Sequence, residues 1–317
     1  MRQKPTWVVA RAISPPTARA LAPFQFAAPP SVHVHGIIPM HGEKDADLYF
    51  QVQAGRFHWL SFDVPQVAAN LHWAGLNLLL SDVRMDFYGG KAEGSASFDF
   101  DPRHPGTDYQ FALSASNTLL QSLMADLSTR TNHLEGRLTG TLVLTRANSE
   151  DWRQTQGYGA LELRDGLIWE IPLFGVFSPA LDALAPGLGS SRASAGASRF
   201  VITNGVIHSD NLEIHSPPVR LLYRGTADLQ GRLDARAEAL VLRDLPLFGP
   251  LVSTALWPMT KLFEYKVTGS LDQPKTEPLH FLPRIVLLPL HPWRTLKGLL
   301  PEDPALTRTN AVPSIKR

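Results

Sequence analysis

The sequence predicts a mainly β protein with a long antiparallel sheet, and three observations point to that fold class. The first is an alternation of apolar and polar side chains, clearest over residues 225–240, where Leu233, Ala235, Ala237 and Ala239 would share one face of a strand. Strand side chains alternate between faces with period two, so this pattern is typical of a strand buried on one side. The second is a turn signal about every eight to twelve residues, and the third is the presence of Asp-Gly and Asn-Gly pairs, which favour tight hairpins.

Strands alternate with turns through the first part of the chain, and a short helix then interrupts them. The helix is predicted over residues 117–127, because its leucines recur at helical spacing and Asn117 or Thr118 is suited to cap it. The strands predicted before it lie at residues 31–35, 48–52, 67–73, 76–80, 83–88, 95–101 and 109–113.

The second part of the chain returns to strands. Asp165-Gly166 and Asn204-Gly205 each lie between two apolar runs and are predicted to form type I′ hairpin turns, in which both central residues have positive φ. The predicted strands lie at residues 136–144, 158–164, 167–171, 200–203, 206–208, 225–240 and 265–271.

One supersecondary unit recurs in this second part. A Pro-Leu-Phe-Gly step follows an amphipathic strand region at residues 172–175 and again at residues 246–249. Each step leads into a short apolar segment, residues 176–184 and residues 250–263, which is predicted to be a short helix lying across one end of the sheet. Such repetition favours an elongated sheet that grows by the addition of strands.

Composition narrows the classes of function. The chain has 317 residues, 44% hydrophobic and 19% charged, and a formal net charge of +1. A chain of this kind is globular with a substantial core, and its charge gives no signal for a nucleic-acid partner. Cysteine is absent, which excludes disulfides, thiolate catalysis and cysteine-ligated metals.

Three regions are predicted along the chain. Residues 1–30 are rich in Pro, Ala and Arg and are predicted to be a disordered or linker N-terminus. Residues 31–275 carry the strand pattern, and residues 276–317 are predicted to be a Pro-rich apolar and basic tail. The apolar run Trp7–Ala10 is shorter than a signal-peptide core, and no segment free of Pro and charge is long enough to span a bilayer. We therefore expect either a soluble chain or the C-terminal part of a protein anchored elsewhere.

The order of these features resembles the C-terminal region of AsmA-like proteins of the bacterial cell envelope, a superfamily that includes TamB- and YhdP-type proteins. The resemblance is strongest over residues 85–275 and looser over residues 31–84. It rests on the short helix followed by 134–140 (LEGRLTG), then 157–159 (GYG) through 165–166 to 171–174 (IPLF), 200–205, 212–214, 225–233, 245–246, 267–271 (VTGSL) and Pro274.

The resemblance implies a β-groove, a long curved antiparallel sheet that is U-shaped in section, has a few short helices at its ends and is lined with apolar side chains. Such proteins are thought to conduct phospholipids between membranes or to support outer-membrane assembly. The resemblance thus implies a non-enzymatic, membrane-associated protein on the periplasmic side of the envelope, with phospholipid or another acyl lipid and envelope proteins as partners. Family members usually carry an N-terminal transmembrane helix, and none is visible in this chain.

The candidate lipid-binding residues are apolar members of the alternating strands. An apolar face without a second layer would need a ligand, and acyl chains gain about 0.8 kcal/mol per buried methylene. The alternative is that these residues form the core of a closed sandwich. They are Phe98, Phe100, Phe111, Leu113, Leu142, Leu144, Leu161, Leu163, Phe200, Ile202, Leu229 and Leu233.

No catalytic, metal or cofactor site is predicted. His33 and His35 share a strand face near His41, but zinc would need a third ligand beside that pair, and exposed polar residues explain them equally. Asp99 and Asp101 are a carboxylate pair of the kind glycosidases use, although a solvated strand end explains them more simply. The chain contains no glycine-rich cofactor fingerprint.

Residues 279–300 are predicted to contact a membrane interface. Leucines and Trp293 are interleaved there with Arg284, Arg294 and Lys297, and three prolines prevent one continuous helix. A strap packed against the sheet is the alternative. Two other functions stay open for the whole chain: a scaffold whose sheet edges bind protein partners by strand addition without lipid cargo, and a secreted carbohydrate-active enzyme.

Overall fold

One open antiparallel sheet of fourteen strands dominates the fold. The computed structural model describes residues 24–37, 45–59, 62–127, 132–184, 187–217, 219–241 and 261–281. Within them a second sheet has three short strands, and the helices are short. The predicted mainly β fold class is therefore confirmed, and the large sheet does not close into a barrel.

Short helices interrupt the succession of strands along the chain. The helices are α1 (Leu120–Leu127), α2 (Pro172–Gly175) and α3 (Ser178–Leu184), with 3-10 turns at Trp152–Gln154 and Leu188–Ser190. The strands are β1 (Phe24–Phe26), β2 (Ser31–Ile37), β3 (Asp47–Ala54), β4 (Phe57–Trp59), β5 (Phe62–Val64), β6 (Gln66–Ala74), β7 (Asn77–Phe87), β8 (Gly90–Asp99), β9 (Asp108–Leu119), β10 (Glu135–Asn148), β11 (Gln156–Leu167), β12 (Ala193–Thr203), β13 (Val206–Ser216), β14 (Val219–Asp228), β15 (Arg232–Val241), β16 (Lys261–Ser270) and β17 (Pro274–Phe281).

The order of strands in the large sheet follows the order of the chain. It runs β2-β3-β6-β7 and then consecutively to β17, so β2 and β17 are the edges of the sheet as the described residues form it. Strand β3 pairs with β6 because β4 and β5 leave the sheet and join β1 in the small one. Every pairing in the two sheets is antiparallel, so neighbouring strands run in opposite directions.

The two hairpin predictions have opposite outcomes. Asn204-Gly205 forms the turn between β12 and β13, with Thr203 opposite Val206 and φ angles of 52° and 72°, as a type I′ turn requires. The Asp165-Gly166 prediction is wrong, because β11 continues through this pair. Gly166 lies opposite Ala193 of β12, and the positive φ of Asp165 (52°) accompanies a register shift against β10 instead of a chain reversal.

The predicted helix at residues 117–127 begins later than expected. Strand β9 continues to Leu119, where it still pairs with Arg137 of β10. Thr118 is buried opposite Leu138, and Asn117 has a φ of 59° within the strand, so neither residue caps the helix. Pairing with β10 sets the start of the helix, because the backbone of β9 is hydrogen-bonded to β10 as far as Leu119, directly before the first helical residue.

Both ends of the predicted sheet domain also differ from the structure. Phe24–Phe26, inside the predicted linker, form β1, and β17 extends the sheet past residue 275 to Phe281. Residues 261–263 of the second predicted apolar helix belong to β16. The rest of that helix, His41, residues 1–23 and most of the tail lie outside the described residues.

The two faces of the large sheet differ in polarity. On β15, Leu233 and Ala237 are buried, while Arg232, Asp234 and Arg236 on the opposite face are exposed. We call the first of these the apolar face and the second the outer face. Pairing carries both faces from strand to strand, because directly opposite residues point to the same side of a sheet.

Candidate functional site

An unbroken row of apolar residues and glycines crosses the apolar face from one edge of the sheet to the other. Each member is the direct cross-strand partner of the next, so every one of the fourteen strands contributes a position. We call this the apolar row: Val34, Phe50, Leu71, Leu80, Ala96, Phe111, Leu144, Gly157, Ile202, Ile207, Ala227, Leu233, Gly269 and Pro274.

In the middle of the sheet, side chains of the apolar face bury one another. Leu144, Ala147 and Ile202 are less than a tenth exposed, and the hydrophobic side chains grouped with them all come from strands β9 to β13. A similar cluster forms around Leu48 and Trp73 on strands β3 to β8. In both clusters, side chains of the apolar face on neighbouring strands pack against one another and so exclude water.

Glycines let large side chains lie flat on this face. A Cβ placed on Gly159 would lie 2.4 Å from Cζ of Phe200 and 2.5 Å from the carbonyl oxygen of Thr141. The ring of Phe200 therefore lies across the backbone of the neighbouring strand. Gly140 leaves room for the side chain of Leu161 in the same way.

Most of the predicted lining residues lie on the apolar face. Leu161 is the most open of those that do, at 41% exposed, and Leu233 is nearly buried. Phe100 directly follows β8 and stacks on Phe98 and Trp73. Register places the following residues there: Phe98, Phe111, Leu113, Leu142, Leu144, Leu161, Leu163, Phe200, Ile202 and Leu233.

Leu229 is the exception, because the prediction that it lies on a strand of the apolar face is wrong. It lies in the turn after β14 and is 46% exposed. The strand ends at Asp228, whose carboxylate accepts hydrogen bonds from the N–H groups of Gln230 and Arg232 and closes the turn. Apolar alternation runs on through residue 229 in the sequence, so periodicity alone does not mark this end.

Two aromatic residues of the face were missed. Trp73 stacks on Phe100 with ring centroids 5.9 Å apart, and Tyr109 stacks between Phe98 and Phe111 at 6.1 and 6.5 Å. With Phe98, Phe100 and Phe111 they form a series of stacked aromatic rings on β6, β8 and β9 and directly after β8. The signal was present, since Tyr109 has the same parity as Phe111, and Trp73 has the same parity as Leu71.

At the C-terminal end of the described sheet, helices cover the apolar face. Ala237 and Ala239 are at most 1% exposed and belong to one core with Phe177 and Leu181. Phe177 lies between α2 and α3, and Leu181 lies in α3. The hydroxyl of Tyr223 donates a hydrogen bond to the carbonyl of Leu173 at 3.0 Å. Burial raises the pKa of Tyr223 well above its usual range. The small alanine side chains therefore admit packed helices here.

Strand β5 and helix α1 pack against the C-terminal ends of β7 and β9. The rings of Phe62 on β5 and Phe87 on β7 are 6.2 Å apart, and α1 packs near them. The Tyr88 hydroxyl donates to Oδ2 of Asp126 at 2.5 Å and accepts a hydrogen bond from the N–H of Asp63. Burial and this bond to Asp126 raise the pKa of Tyr88. The apolar row lies nearer the opposite ends of these strands.

His33 and His35 lie on the outer face, on either side of Val34 of the apolar row. His35 stacks on Tyr49 at 5.2 Å, and Tyr49 stacks on His72 at 4.1 Å. His33 is opposite Gln51. In the part of the chain that the structure describes, no three metal-ligating side chains form a cluster.

The two carboxylates of the predicted pair, Asp99 and Asp101, have different surroundings. Asp101 is bound by the side chain and backbone N–H of Arg103, and these hydrogen bonds hold its pKa well below its usual range. A carboxyl that stays ionised in this way is unsuited to donate a proton as a general acid. Asp99 lies on the outer face at the end of β8.

No protein-family model, curated protein or solved structure matches the chain. The resemblance to AsmA-like proteins therefore stays a prediction. Among the described helices, none has the length and apolar character needed to cross a membrane.

Proposed function

We propose that this chain is a non-enzymatic protein of the bacterial cell envelope that binds, and conducts, phospholipid or another acyl lipid along its apolar face. The observation that carries the proposal is the apolar row, in which no polar side chain interrupts fourteen consecutive strands. Membership of the AsmA-like group, envelope partners and membrane contact through residues 279–300 belong to the same proposal.

The dimensions of the row suit a chain-like ligand. Adjacent strands lie about 4.8 Å apart, so the ten strands from β2 to β13, before the part that packs against the helices, extend the row over about 43 Å. This length exceeds the thickness of a bilayer's hydrocarbon core, about 30 Å. Each methylene that leaves water for the face contributes about 0.8 kcal/mol, so the binding of one acyl chain is favourable by several kcal/mol.

A matched pair of substitutions tests lipid binding. Leu161 on the apolar face and Val201 on the outer face lie on neighbouring strands and are 41% and 54% exposed. Leu161→Glu places a charge where the acyl chain would lie, and we expect it to reduce uptake of a fluorescent phospholipid by at least about tenfold, since a buried unpaired charge is costly. Val201→Glu places the same charge on the outer face and should leave uptake unchanged.

The readouts are uptake of the fluorescent phospholipid and native mass spectrometry of lipid that purifies with the protein. Circular dichroism of both variants establishes that the sheet is intact. Wild-type protein that carries no lipid and takes up none would overturn the proposal, and so would equal uptake by the two variants.

Strand addition is a second candidate, and the two edges of the sheet favour one site for it. Strand β2 is exposed at all seven positions and contains neither proline nor a permanently charged residue. Strand β17, at the other edge, contains Pro274, Lys275 and Pro278, which hinder pairing. An extended peptide would therefore add to β2.

A labelled peptide with the sequence of β3 tests this candidate, because β3 already pairs with β2 in the fold. We expect saturable binding by fluorescence anisotropy, abolished by Val34→Pro and retained by Leu161→Glu. If the peptide does not bind, or binds Val34→Pro equally, strand addition at β2 is rejected, and the lipid proposal is unaffected.

A further inference from the structure

A cleft of about 510 Å³ is lined mainly by outer-face residues of strands β6 to β10. Two adjacent cross-strand rows supply its outer-face side chains. The volume lies within the range of about 300–1,000 Å³ that is typical of small-molecule sites. The first row contributes Ala74, Asn77, Asp99 and Asp108, and the second contributes His72, Leu79, Ser97 and Gln110, followed by Thr145 and Arg146.

Two carboxylates face each other in the first row. Asp99 and Asp108 are direct partners across β8 and β9, an arrangement in which like charges destabilise a sheet. Their hydrogen bonds come from amides: Asp99 accepts from the N–H of Asp101 at 3.0 Å, and Asp108 accepts from Nδ2 of Asn148 at 2.6 Å. An unfavourable pair that the fold retains in a cleft is a feature expected of binding sites.

A register shift places a cation beside this pair. Strand β10 has Thr145 and Arg146 where β9 has the single residue Gln110, and such a bulge redirects side chains. Arg146 lines the cleft and donates a hydrogen bond to Oε1 of Gln154 at 3.2 Å. The cleft thus holds donors and acceptors together.

The opposite wall is an ordered imidazole beside an apolar patch. Nε2 of His72 lies 2.8 Å from Oδ1 of Asp47, and its ring stacks on Tyr49. These two contacts fix the ring. Leu79, which is directly opposite His72 on the next strand, is 47% exposed. A flat, partly apolar surface therefore lies next to carboxylates and amides.

We propose that this cleft binds a neutral or amino-bearing saccharide. Carboxylates, amides and a guanidinium hydrogen-bond to hydroxyl groups, and the His72 ring with Leu79 offers a surface for the apolar face of a sugar ring. Two carboxylates against one guanidinium repel phosphate and other anions. A metal ion is disfavoured because Arg146 lines the cleft and no third ligating side chain joins the two carboxylates among the described residues.

The test titrates the full chain with maltotriose, N-acetylchitotriose and chitotriose, by saturation-transfer NMR and calorimetry. We expect at least one trisaccharide to bind, with affinity reduced at least about tenfold in Asp99→Asn and in Asp108→Asn. Glu93→Gln, an exposed carboxylate on the same strand but outside the cleft, is the matched control and should bind as wild type does.

Thermal stability separates a binding defect from a folding defect. Removing one of two opposed charges should leave the Tm of Asp99→Asn equal to or above that of wild type. The absence of binding by all three trisaccharides at millimolar concentration would overturn the proposal. So would equal affinities of Asp99→Asn, Asp108→Asn and wild type, or a weakening as large in Glu93→Gln.

Discussion

At the scale of single residues, glycines on the apolar face leave the space that large neighbouring side chains occupy. Gly159→Ala would bring a methyl group within 2.5 Å of a backbone oxygen as well as against the ring of Phe200. We expect a loss of about 1–3 kcal/mol in the free energy of unfolding, the usual cost of overpacking. Urea denaturation measures it.

Gly55→Ala is the control for that substitution. A Cβ on Gly55 meets nothing within 4 Å, so we expect a change within about 0.5 kcal/mol of zero. Equal destabilisation by the two variants would mean that the contact with Phe200 does not limit the packing.

At the scale of elements, the buried alanines of β15, Ala237 and Ala239, leave room for α2 and α3 to pack on the apolar face. Ala237 is 1% exposed and contacts the core that contains Phe177 and Leu181. Ala237→Leu adds three carbon atoms to this filled space and should cost about 1–3 kcal/mol in the free energy of unfolding, again measured with urea.

Ala197→Leu tests whether the helices are the cause. Ala197 is exposed on β12, opposite Glu213, so the larger side chain has room and should change stability by less than about 0.5 kcal/mol. If Ala237→Leu were also neutral, the helix layer would be too loosely packed to close that end of the face.

The elements show where sequence reasoning succeeds and where it stops. Alternation predicted the faces of the strands, and Asn204-Gly205 predicted its own turn, because both signals are local. Asp165-Gly166 carries the same local signal, but pairing with Ala193 keeps the chain extended there.

The candidate sites were only partly predictable for the same reason. Parity within each strand groups the candidate lining residues, and ten of them share the apolar face in the structure. The cleft depends on which strands are neighbours and in which register. Asp99 and Asp108 are opposed only because β8 pairs with β9 in one particular alignment. Alternation restricts the register to shifts of two residues, and it does not select the one in which these two carboxylates are opposite.

At the scale of the whole molecule, stability is distributed along one direction. Each strand contacts chiefly its two neighbours, so the sheet resembles a linear array with an ordered interior and fraying ends. Hydrogen exchange should therefore be graded. Amides of β2, exposed throughout, should exchange at least about a hundredfold faster than those of β14, where Leu221 is 2% exposed beneath the helix layer.

Mass spectrometry of peptides from the two strands measures that gradient. Uniform protection from β2 to β14 would contradict it and would indicate a single cooperative unit. A gradient would also place the least stable part of the sheet at the edge proposed for strand addition.

The apolar row has a final consequence between β2 and β9, where no helix of the C-terminal core covers it and every member is apolar. An acyl chain that moved by one strand, about 4.8 Å, would exchange one set of leucine, phenylalanine and alanine contacts for a similar set. Successive positions would then be nearly degenerate in free energy, separated by low barriers. Occupancy would be spread along the face, and several chains would be held at once in variable numbers. Such a surface favours one-dimensional diffusion over capture, and its binding isotherm would lack a fixed stoichiometry.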